Sequence, residues 1–356
     1  MNSMPKADAP AFVAGMGAAV EAELAALIAH ERAVWTADHA DLGVPFDEIE
    51  GLVLGGGKRL RPAFCLLGAV AAGGGQTPDV VRAGAALELL HAMALFHDDV
   101  IDASVTRRGR ETTHVRHARL HRAEGWAGEA SRFGDGVAII IGDLAYVYAD
   151  RFMESMSAPV RDVWTKMRLE VNIGQYLDVV GSARRDYTVE AAERIALFKT
   201  AKYTIERPLH IGALIAQPAA SPSLLDALSG YGVALGVAFQ MRDDILGIFG
   251  EPEVTGKPAG DDLRESKPTA LVALALSRAD AAQRKILEQV GDPELDSVAI
   301  ADIRQVIVET SALVDVEKRI SELVDESLRA LDVLNVNGDV REMFVSLGEV
   351  VAWRNV

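Results

Sequence analysis

The chain has 356 residues, which is long enough to bury a substantial core in one large domain or two ordinary ones. Hydrophobic residues make up 49% of it and charged residues 25%, a composition that excludes a disordered or fibrous protein. The formal net charge of -16 excludes an extended nucleic-acid interface, because most of the surface would repel a phosphate backbone. We therefore expect no nucleic-acid partner, and an anionic ligand would require local cations or metal ions.

The first residues and the single cysteine bear on location. Residues 1–20 are rich in alanine and are predicted to form a flexible N-terminal segment.

Cys65 is the single cysteine of the chain, so no intramolecular disulfide can form, and its apolar neighbours predict a buried thiol. This use of cysteine suits a reducing compartment, and a cytoplasmic location is expected. No apolar stretch approaches the roughly 18 to 20 residues of a membrane span, so no stable membrane span is expected.

Apolar residues recur at helical spacing through nearly the whole chain. Clear examples are VRAGAALELLHAMALFHDDVID, IGDLAYVYADRFMESM and VEKRISELVDESLRALDVL. Alternating patterns typical of strands are not evident. The breaks between the periodic segments are short, so they are interpreted as interhelical connections and not as domain linkers. The pattern therefore predicts an all-α fold with a single domain over residues 21–356.

The first segment with a chemical signature is the connection GGGKRLRP at residues 55–62. Its glycines allow backbone amides to approach a ligand, while Lys58, Arg59 and Arg61 supply positive charge. The segment lacks the spacing and the final Ser or Thr of a nucleotide-binding P-loop. Taken alone, it is equally compatible with a diphosphate-binding loop and with a solvated basic turn.

A predicted apolar helix then ends in the acidic segment LFHDDVID. Asp98 and Asp102 are four residues apart, which places both carboxylates on one helix face with Asp99 beside them. Such a pair suits Mg²⁺, which prefers carboxylates, waters and phosphate oxygens as ligands. Arg107 and Arg108 follow closely, and an arginine side chain can bind phosphate oxygens through two parallel hydrogen bonds. Solvated acids at a helix end, with local ion pairs, are the alternative explanation.

A second apolar helix also ends in an acidic pair, within FQMRDDILG. Here Asp243 and Asp244 are present, but the residue four positions after Asp243 is Gly247, so this helix supplies fewer carboxylates. Taken alone, this pair is weak evidence, but two such pairs on two core-type helices are hard to explain as surface acids. Further cations, each more often a surface lysine than a ligand when taken alone, are Lys199, Lys202, Lys257 and Lys267.

Taken together, these segments resemble the polyprenyl synthetase family of head-to-tail trans-isoprenyl diphosphate synthases, which includes geranylgeranyl and farnesyl diphosphate synthases. The resemblance rests on GGGKRLRP, His91, DDVID, RRG, GQYLD, FKTAKYT, FQMRDD and GKPAGDD, in the family's order between about residues 55 and 269. It implies an all-α isoprenoid synthase type I fold, a helical bundle around a central cavity, and a homodimer. It also implies that three magnesium ions assist the condensation of isopentenyl diphosphate with an allylic diphosphate to a longer trans-polyprenyl diphosphate.

The resemblance implies roles for individual residues. Asp98, Asp102 and Asp243 match the family's metal ligands. Asp99 and Asp244 support them, and Lys199 completes the expected catalytic set. The positions that match isopentenyl diphosphate binding are Lys58, Arg61, His91 and Arg108. The positions that match the allylic diphosphate site or lie beside it are Arg107, Lys199, Thr200, Lys202, Phe239, Gln240, Lys257 and Lys267.

Two positions depart from the family pattern. Gly247 stands where many members carry the last aspartate of the second motif. That aspartate is the least directly involved in metal binding, so we expect activity to survive. The segment FKTAKYT offers both Lys199 and Lys202 as the diphosphate-binding lysine, and the literal KTA match favours Lys199.

Product length is expected to depend on the helix that carries DDVID, because the growing chain lies along it with its head fixed at the metal ions. Ala94 lies one turn below Asp98, roughly 6 Å away, and its small side chain leaves this turn open. Met93 matches the family's main size determinant, while Leu87 and Leu90 lie further along the helix. Geranylgeranyl diphosphate is the expected product, with farnesyl (C15) and C25 or longer products left open.

Two other functional classes are alternatives to a prenyltransferase. A terpene cyclase shares the first aspartate motif, but FQMRDD and a second diphosphate site at GGGKRLRP speak against it. A non-catalytic partner subunit of a synthase would be recognised by loss of the aspartate motifs, and here the first motif is intact. A prenyltransferase that makes its own product is therefore preferred.

Overall fold

The computed structural model describes residues 9–250, 260–334 and 336–353. Helices account for nearly all regular structure in these residues, which confirms the predicted all-α class. Helical periodicity did not predict a short antiparallel ribbon formed by β1 (Thr106–Arg107) and β2 (Arg110–Glu111). The described residues divide into two compact units, named here the N-terminal unit (9–161 and 211–219) and the C-terminal unit (162–210 and described residues from 220 onward). The single domain stays a prediction.

The N-terminal unit is built mainly from long helices. They are α1 (Ala9–Thr36), α2 (Val44–Val53), α3 (Leu60–Ala71), α4 (Pro78–Ile101), α5 (Thr113–Ala123) and α6 (Ala130–Met153). Helix α4 begins where the Thr77 side chain accepts a hydrogen bond from the Val80 amide, and Pro78 suits the first helical position. It packs against α1, α3 and α6. Its last turn carries the first aspartate motif.

Helix α1 includes much of the segment that was predicted to be flexible. Residues 9–20 are helical, and Met16 and Val20 have no exposed surface. Both side chains lie at Gly84 of α4, where an added Cβ would come within 2.7 Å of Met16 and 2.8 Å of Val20. Burial of such side chains contributes roughly 1.5 to 3 kcal/mol each, so the apolar face of the segment holds it in the unit. The alanine-rich composition had obscured this face.

The C-terminal unit contains most of the remaining helices. Both α7 (Ala158–Arg184) and α9 (Arg207–Ala216) contain residues of the two units. The others are α8 (Val189–Ile195), a π-helix (Ala196–Glu206), α10 (Pro222–Phe249), α11 (Asp261–Arg264), α12 (Ala270–Arg278), α13 (Ala281–Leu287), α14 (Ser297–Glu309), α15 (Ala312–Ala330) and α16 (Gly338–Ala352). Helix α10 packs against the π-helix, α11, α15 and α16, and its last turns carry the second aspartate motif.

The π-helix approaches its neighbours closely because glycines face it. A Cβ on Gly236 of α10 would lie only 2.3 Å from Cα of Ala201, and one on Gly174 of α7 would lie 2.4 Å from the backbone nitrogen of Lys199. No side chain fits in these gaps without movement of the backbone. The glycines of GQYLD and of α10 therefore fix the position of the segment that carries FKTAKYT.

Three helices are long and apolar enough to cross a membrane by length and composition. They are Pro10–Thr36 within α1, α4 and α10, and 28%, 67% and 56% of their most apolar windows are buried, respectively. This differs from the expectation based on uninterrupted apolar runs, because alanine and glycine keep these windows apolar despite a few acidic residues. The aspartate motifs occupy the C-terminal ends of two of these helices.

Candidate active site

The first aspartate motif closes helix α4. Asp98 and Asp102 are half-buried, whereas Asp99 is only 6% exposed. Helix α4 ends at Ile101, and the Asp102 amide donates a hydrogen bond to the carbonyl of Asp98 at 2.8 Å. The three carboxylates therefore belong to the last turn of the helix and its cap.

The segment RRG forms a tight turn of the β1–β2 ribbon. Arg108 and Gly109 have φ values of 51° and 72°, so both adopt the left-handed conformation of a two-residue hairpin turn. The turn directs Arg107 to Asp99, whose Oδ1 accepts a hydrogen bond from Nε at 2.7 Å and lies 2.6 Å from Nη2 in an ion pair. Arg108 donates to the carbonyl of Gly56 at 2.5 Å. The ribbon thus links the arginines both to the first aspartate motif and to the glycine loop.

The charge of Arg107 is well supported. Burial acts to lower its pKa, but the hydrogen bond and charge of Asp99, with the charges of Asp98 and Asp102, raise it overall. For Arg108 the direction is reversed, because burial and the charges of Arg107 and Arg59 lower its pKa. Of the two arginines, Arg108 therefore has more to gain from an added anion.

Within GGGKRLRP the three cations have different environments. Arg59 is 7% exposed; it donates to Glu88 at 2.5 Å and to Glu21 at 2.9 Å. It anchors the loop to α4 and α1, a role that the sequence did not reveal because both acids are distant in the chain. Lys58 is exposed and Arg61 is half-buried, so these are the loop cations that remain accessible for the predicted isopentenyl diphosphate site.

His91, on α4, belongs to the same basic region. Burial lowers its pKa well below the usual value, and the positive charges of Arg61, Arg107 and Arg108 lower it further. Its imidazole is therefore neutral near pH 7, and it would bind an anion as a hydrogen-bond donor and not as a cation.

The second aspartate motif, on α10, is linked to the π-helix by hydrogen bonds. Gln240 Nε2 donates to Asp244 Oδ1 at 2.8 Å, and the Thr200 hydroxyl donates to Gln240 Oε1. Burial raises the pKa of Asp244 to about 7, and the negative charges of Asp262 and Asp178 also raise it. Three predicted residues, Thr200, Gln240 and Asp244, thus belong to one polar region of the C-terminal unit, and Asp243 precedes Asp244 in the same helix.

The two lysines of FKTAKYT differ in their partners. Lys199 Nζ lies 2.6 Å from Asp178 Oδ2, the acid of GQYLD whose charge acts on Asp244. Lys202 Nζ lies 3.1 Å from Glu206 and 3.4 Å from Glu170, in a buried ion-pair network that includes Arg207. The geometry therefore associates Lys199 with Asp178 near the second aspartate motif, and Lys202 with the ion-pair network of Glu170, Glu206 and Arg207.

The last cationic segment is described in part. Lys257 lies outside the described residues. Lys267 Nζ lies 2.5 Å from Glu265 Oε2 and 3.5 Å from Asp262 Oδ1, and its charge acts on Asp244. Lys267 therefore pairs with acids close to the second aspartate motif, and its binding of the allylic diphosphate stays a prediction.

The predicted apolar determinants are mostly buried. Leu87 and Leu90 have no exposed surface, Met93 is 8% exposed and Ala94 is half-buried. Phe239, next to Gln240, is also 8% exposed. Met93 and Phe239 therefore belong to the apolar interiors of their own units. The thiol of Cys65 is fully buried, as predicted, and burial raises its pKa to about 12.

Among the described residues, no group of three or more His, Cys, Asp or Glu side chains is arranged to hold a metal ion. This does not conflict with a Mg²⁺ site. Mg²⁺ is typically held by one or two carboxylates, with waters and substrate phosphate oxygens completing its octahedron. Each aspartate motif supplies ligands of this kind.

Comparison with known proteins agrees with these features. The family model for polyprenyl synthetases matches residues 47–308. A geranylgeranyl diphosphate synthase of Mycobacterium tuberculosis is 38% identical over 64% of this chain and 61% of the relative. A geranylfarnesyl diphosphate synthase of Aeropyrum pernix is 31% identical over 80% of this chain and 85% of the relative.

The solved structures agree with the sequence relatives. A crystal structure of a geranylgeranyl pyrophosphate synthase from Corynebacterium glutamicum, complexed with isoprenyl diphosphate and magnesium, is 38% identical to this chain. It matches with a TM-score of 0.91 over 96% of this chain and 99% of that one. The predicted isoprenoid synthase fold is therefore confirmed. The chain belongs to the polyprenyl synthetase family of prenyltransferases.

Proposed function

We propose that the enzyme condenses isopentenyl diphosphate with an allylic diphosphate and releases geranylgeranyl diphosphate. One observation carries this proposal: each unit has an aspartate motif at the C-terminal end of a long apolar helix, with cations beside it. In the N-terminal unit the cations are Arg107 and Arg108, and in the C-terminal unit they are Lys199 and Lys267. Carboxylates and cations together suit a metal-bound diphosphate.

The donor chemistry fits Mg²⁺. Burial raises the pKa of Asp244 to about 7, and the charges of Asp262 and Asp178 also raise it; a divalent cation bound beside these acids would favour the ionised carboxylate. Asp98, Asp102 and Asp243 would hold the ions, and three ions are proposed for each active site. When bound, Mg²⁺ supplies Lewis-acid stabilisation of the diphosphate oxygens.

The protein side chains have three tasks in the proposed reaction. Lys199, Arg107 and Lys267 bind diphosphate oxygens and stabilise the negative charge that builds up on the leaving group. Apolar residues such as Met93 and Phe239 surround the reacting hydrocarbon and exclude water from the allylic cation. The double bond of isopentenyl diphosphate attacks this cation, and loss of a proton restores a double bond. No nucleophilic side chain is required.

The proposed product length rests on α4 and on the relatives. Ala94 leaves the turn below Asp98 open, and Met93, an adaptable side chain, follows. The matching proteins named above include geranylgeranyl synthases and a longer-chain geranylfarnesyl synthase. This combination supports geranylgeranyl diphosphate and keeps both farnesyl and C25 products as measurable alternatives.

The test is a product assay with the purified chain. Mg²⁺, labelled isopentenyl diphosphate and each allylic primer from dimethylallyl to farnesyl diphosphate are supplied, and dephosphorylated products are separated by chromatography. Geranylgeraniol as the main alcohol is expected, and a chelator should abolish it. Absence of elongation with every primer would overturn the proposal. Cyclised hydrocarbon without incorporation of label would identify a terpene cyclase.

We also propose a homodimer, which the family resemblance supports, and a cytoplasmic location, which the single buried cysteine supports. Light scattering of the purified enzyme should give twice the mass of the 38.1 kDa chain. A mass equal to one chain at the concentrations used for the assay would contradict the homodimer.

A further inference from the structure

The second aspartate motif has a gap at its last position, and another carboxylate fills that gap. Gly247 lies four residues after Asp243, on the same face of α10, but has no side chain. A Cβ built on Gly247 would lie 1.8 Å from Asp262 Oδ2 and 2.6 Å from its Cγ. The Asp262 carboxylate therefore occupies the space that a side chain at residue 247 would take.

Helix α11 brings Asp262 to this place. It contains residues 261–264 and packs directly on α10. The Asp262 side chain is 15% exposed, and its Oδ1 lies 3.5 Å from Lys267 Nζ. Asp262 thus lies among the groups of the second motif although it is distant from them in sequence.

From this geometry we propose that Asp262 supplies, from α11, the third carboxylate of the second aspartate motif, in the place left open by Gly247. It acts as a positioning residue for the Mg²⁺ and diphosphate held by this motif. The inference rests on the proposed function, since it concerns the same site. It explains how a motif with only two aspartates on α10 keeps three carboxylates.

A different explanation of Gly247 makes the opposite prediction. If Gly247 were only an incidental helical glycine, replacement by alanine, a better helix former, would leave Mg²⁺ binding unchanged. If its place belongs to the Asp262 carboxylate, the new methyl group must displace that carboxylate. Gly247→Ala should then weaken Mg²⁺ binding without removing any acid.

The first experiment compares two substitutions of the same kind. Asp262→Asn removes the proposed carboxylate charge, and Asp302→Asn does so at an exposed position of α14. Calorimetric titration of Mg²⁺ into protein saturated with inorganic diphosphate reports the affinity independently of turnover. We expect a loss of about 10-fold to 100-fold for Asp262→Asn, as found for residues that orient metal ligands, and no change for Asp302→Asn. Equal affinity in both variants would overturn the inference.

The second experiment tests the shared space. Gly247→Ala is compared with Gly136→Ala, because nothing lies within 4 Å of a Cβ at Gly136, which is also helical. We expect Gly247→Ala to weaken Mg²⁺ binding about as much as Asp262→Asn does, and Gly136→Ala to leave it unchanged. Unchanged Mg²⁺ affinity in Gly247→Ala would show that the carboxylate position does not matter.

The third experiment moves the carboxylate back to α10. Asp262→Ala alone should weaken Mg²⁺ binding by at least about tenfold, and the double variant Gly247→Asp with Asp262→Ala should recover most of the loss. A double variant that binds Mg²⁺ no more tightly than Asp262→Ala would overturn the proposal that Asp262 replaces a carboxylate at residue 247.

These titrations are read separately from the product assay. A wild-type chain that makes no prenyl product refutes the proposed function, whereas an active chain with unaltered titrations refutes only the role of Asp262.

Discussion

Lys199 and Lys202 lie three residues apart on the π-helix. We expect neutralisation of Lys199 to impair substrate binding and neutralisation of Lys202 to lower the stability of the fold. Lys199 contacts Asp178 near the second aspartate motif, so Lys199→Gln should raise KM for the allylic diphosphate about 10-fold to 100-fold by loss of a charge-assisted contact. Lys202 is shared by Glu170 and Glu206, both buried. Lys202→Gln leaves these acids with one cation fewer and should lower the free energy of unfolding by about 1 to 3 kcal/mol.

Steady-state kinetics and urea denaturation of both variants check this assignment. Each variant serves as the control for the other, because the chemical change is identical and the positions are close. A larger rise in KM for Lys202→Gln than for Lys199→Gln would reverse the assignment of the diphosphate-binding lysine.

His91 predicts a pH dependence of stability. Its pKa is lowered in the folded protein, first by burial and then by neighbouring arginines, so the unfolded chain binds this proton more readily. The contribution of His91 is complete above about pH 6.5, the ordinary value. It is lost as pH falls toward the folded pKa, with a slope of at most about 1.4 kcal/mol per pH unit.

Urea denaturation between about pH 7.5 and about pH 5 measures this slope. The variant His91→Gln should lose stability less steeply on acidification than the wild type does. His39→Gln is the control, because the His39 side chain is 68% exposed. Parallel pH profiles for the wild type and His91→Gln would contradict the prediction.

Single residues show where prediction from sequence stops. Local spacing predicted that the acids of DDVID share one helix face and that the arginines of RRG lie near them, because both sets are separated by only a few residues. The partners of Arg59 could not be predicted, since Glu21 and Glu88 are 38 and 29 residues away. For the same reason, the proximity of Asp262 to Gly247 appears only once α11 packs on α10.

Secondary-structure elements were predicted where their cause is local in sequence and missed where it is not. Apolar periodicity predicted the long helices, because one buried face leaves a clear pattern. It did not predict the π-helix, which packs closely against glycines of α7 and α10 that are distant in sequence. It also missed the β1–β2 ribbon, whose short strands are too brief to alternate and whose turn places a non-glycine residue at positive φ.

The π-helix gives a prediction at the scale of elements. Gly236→Ala places a Cβ 2.3 Å from Cα of Ala201, a backbone atom that moves only with the whole segment. We expect the free energy of unfolding to fall by about 1 to 3 kcal/mol, as for an overpacked core. Activity should fall as well, because the displaced segment carries Lys199 and Thr200.

Thermal unfolding and the product assay test this variant against Gly15→Ala. Gly15 is also helical, and a Cβ there would meet nothing within 4 Å, so alanine should stabilise that helix slightly. A Gly236→Ala protein as stable as the Gly15→Ala protein would show that the close approach does not constrain the π-helix.

At the scale of the whole molecule, the all-α class and the family were predictable because the diagnostic segments are short and keep their order along the chain. The single domain stays a prediction. Product length is less predictable, since it depends on the combined shape of many apolar residues and not on one motif. The family match is consistent with this, because its members named above differ in product.

Met93 offers the most direct test of how the molecule sets product length. It is 8% exposed on α4, five residues before Asp98, where the growing chain is proposed to lie. Met93→Ala removes volume and should shift the product distribution toward longer chains, whereas the bulkier Met93→Phe should shift it toward farnesyl diphosphate. Each shift should be visible as a change of one or more five-carbon units in the dephosphorylated alcohols. Because Leu87 and Leu90 are fully buried further along α4, Leu87→Ala should matter only once Met93 is also small. Identical product distributions for both Met93 variants would show that this residue does not limit product length.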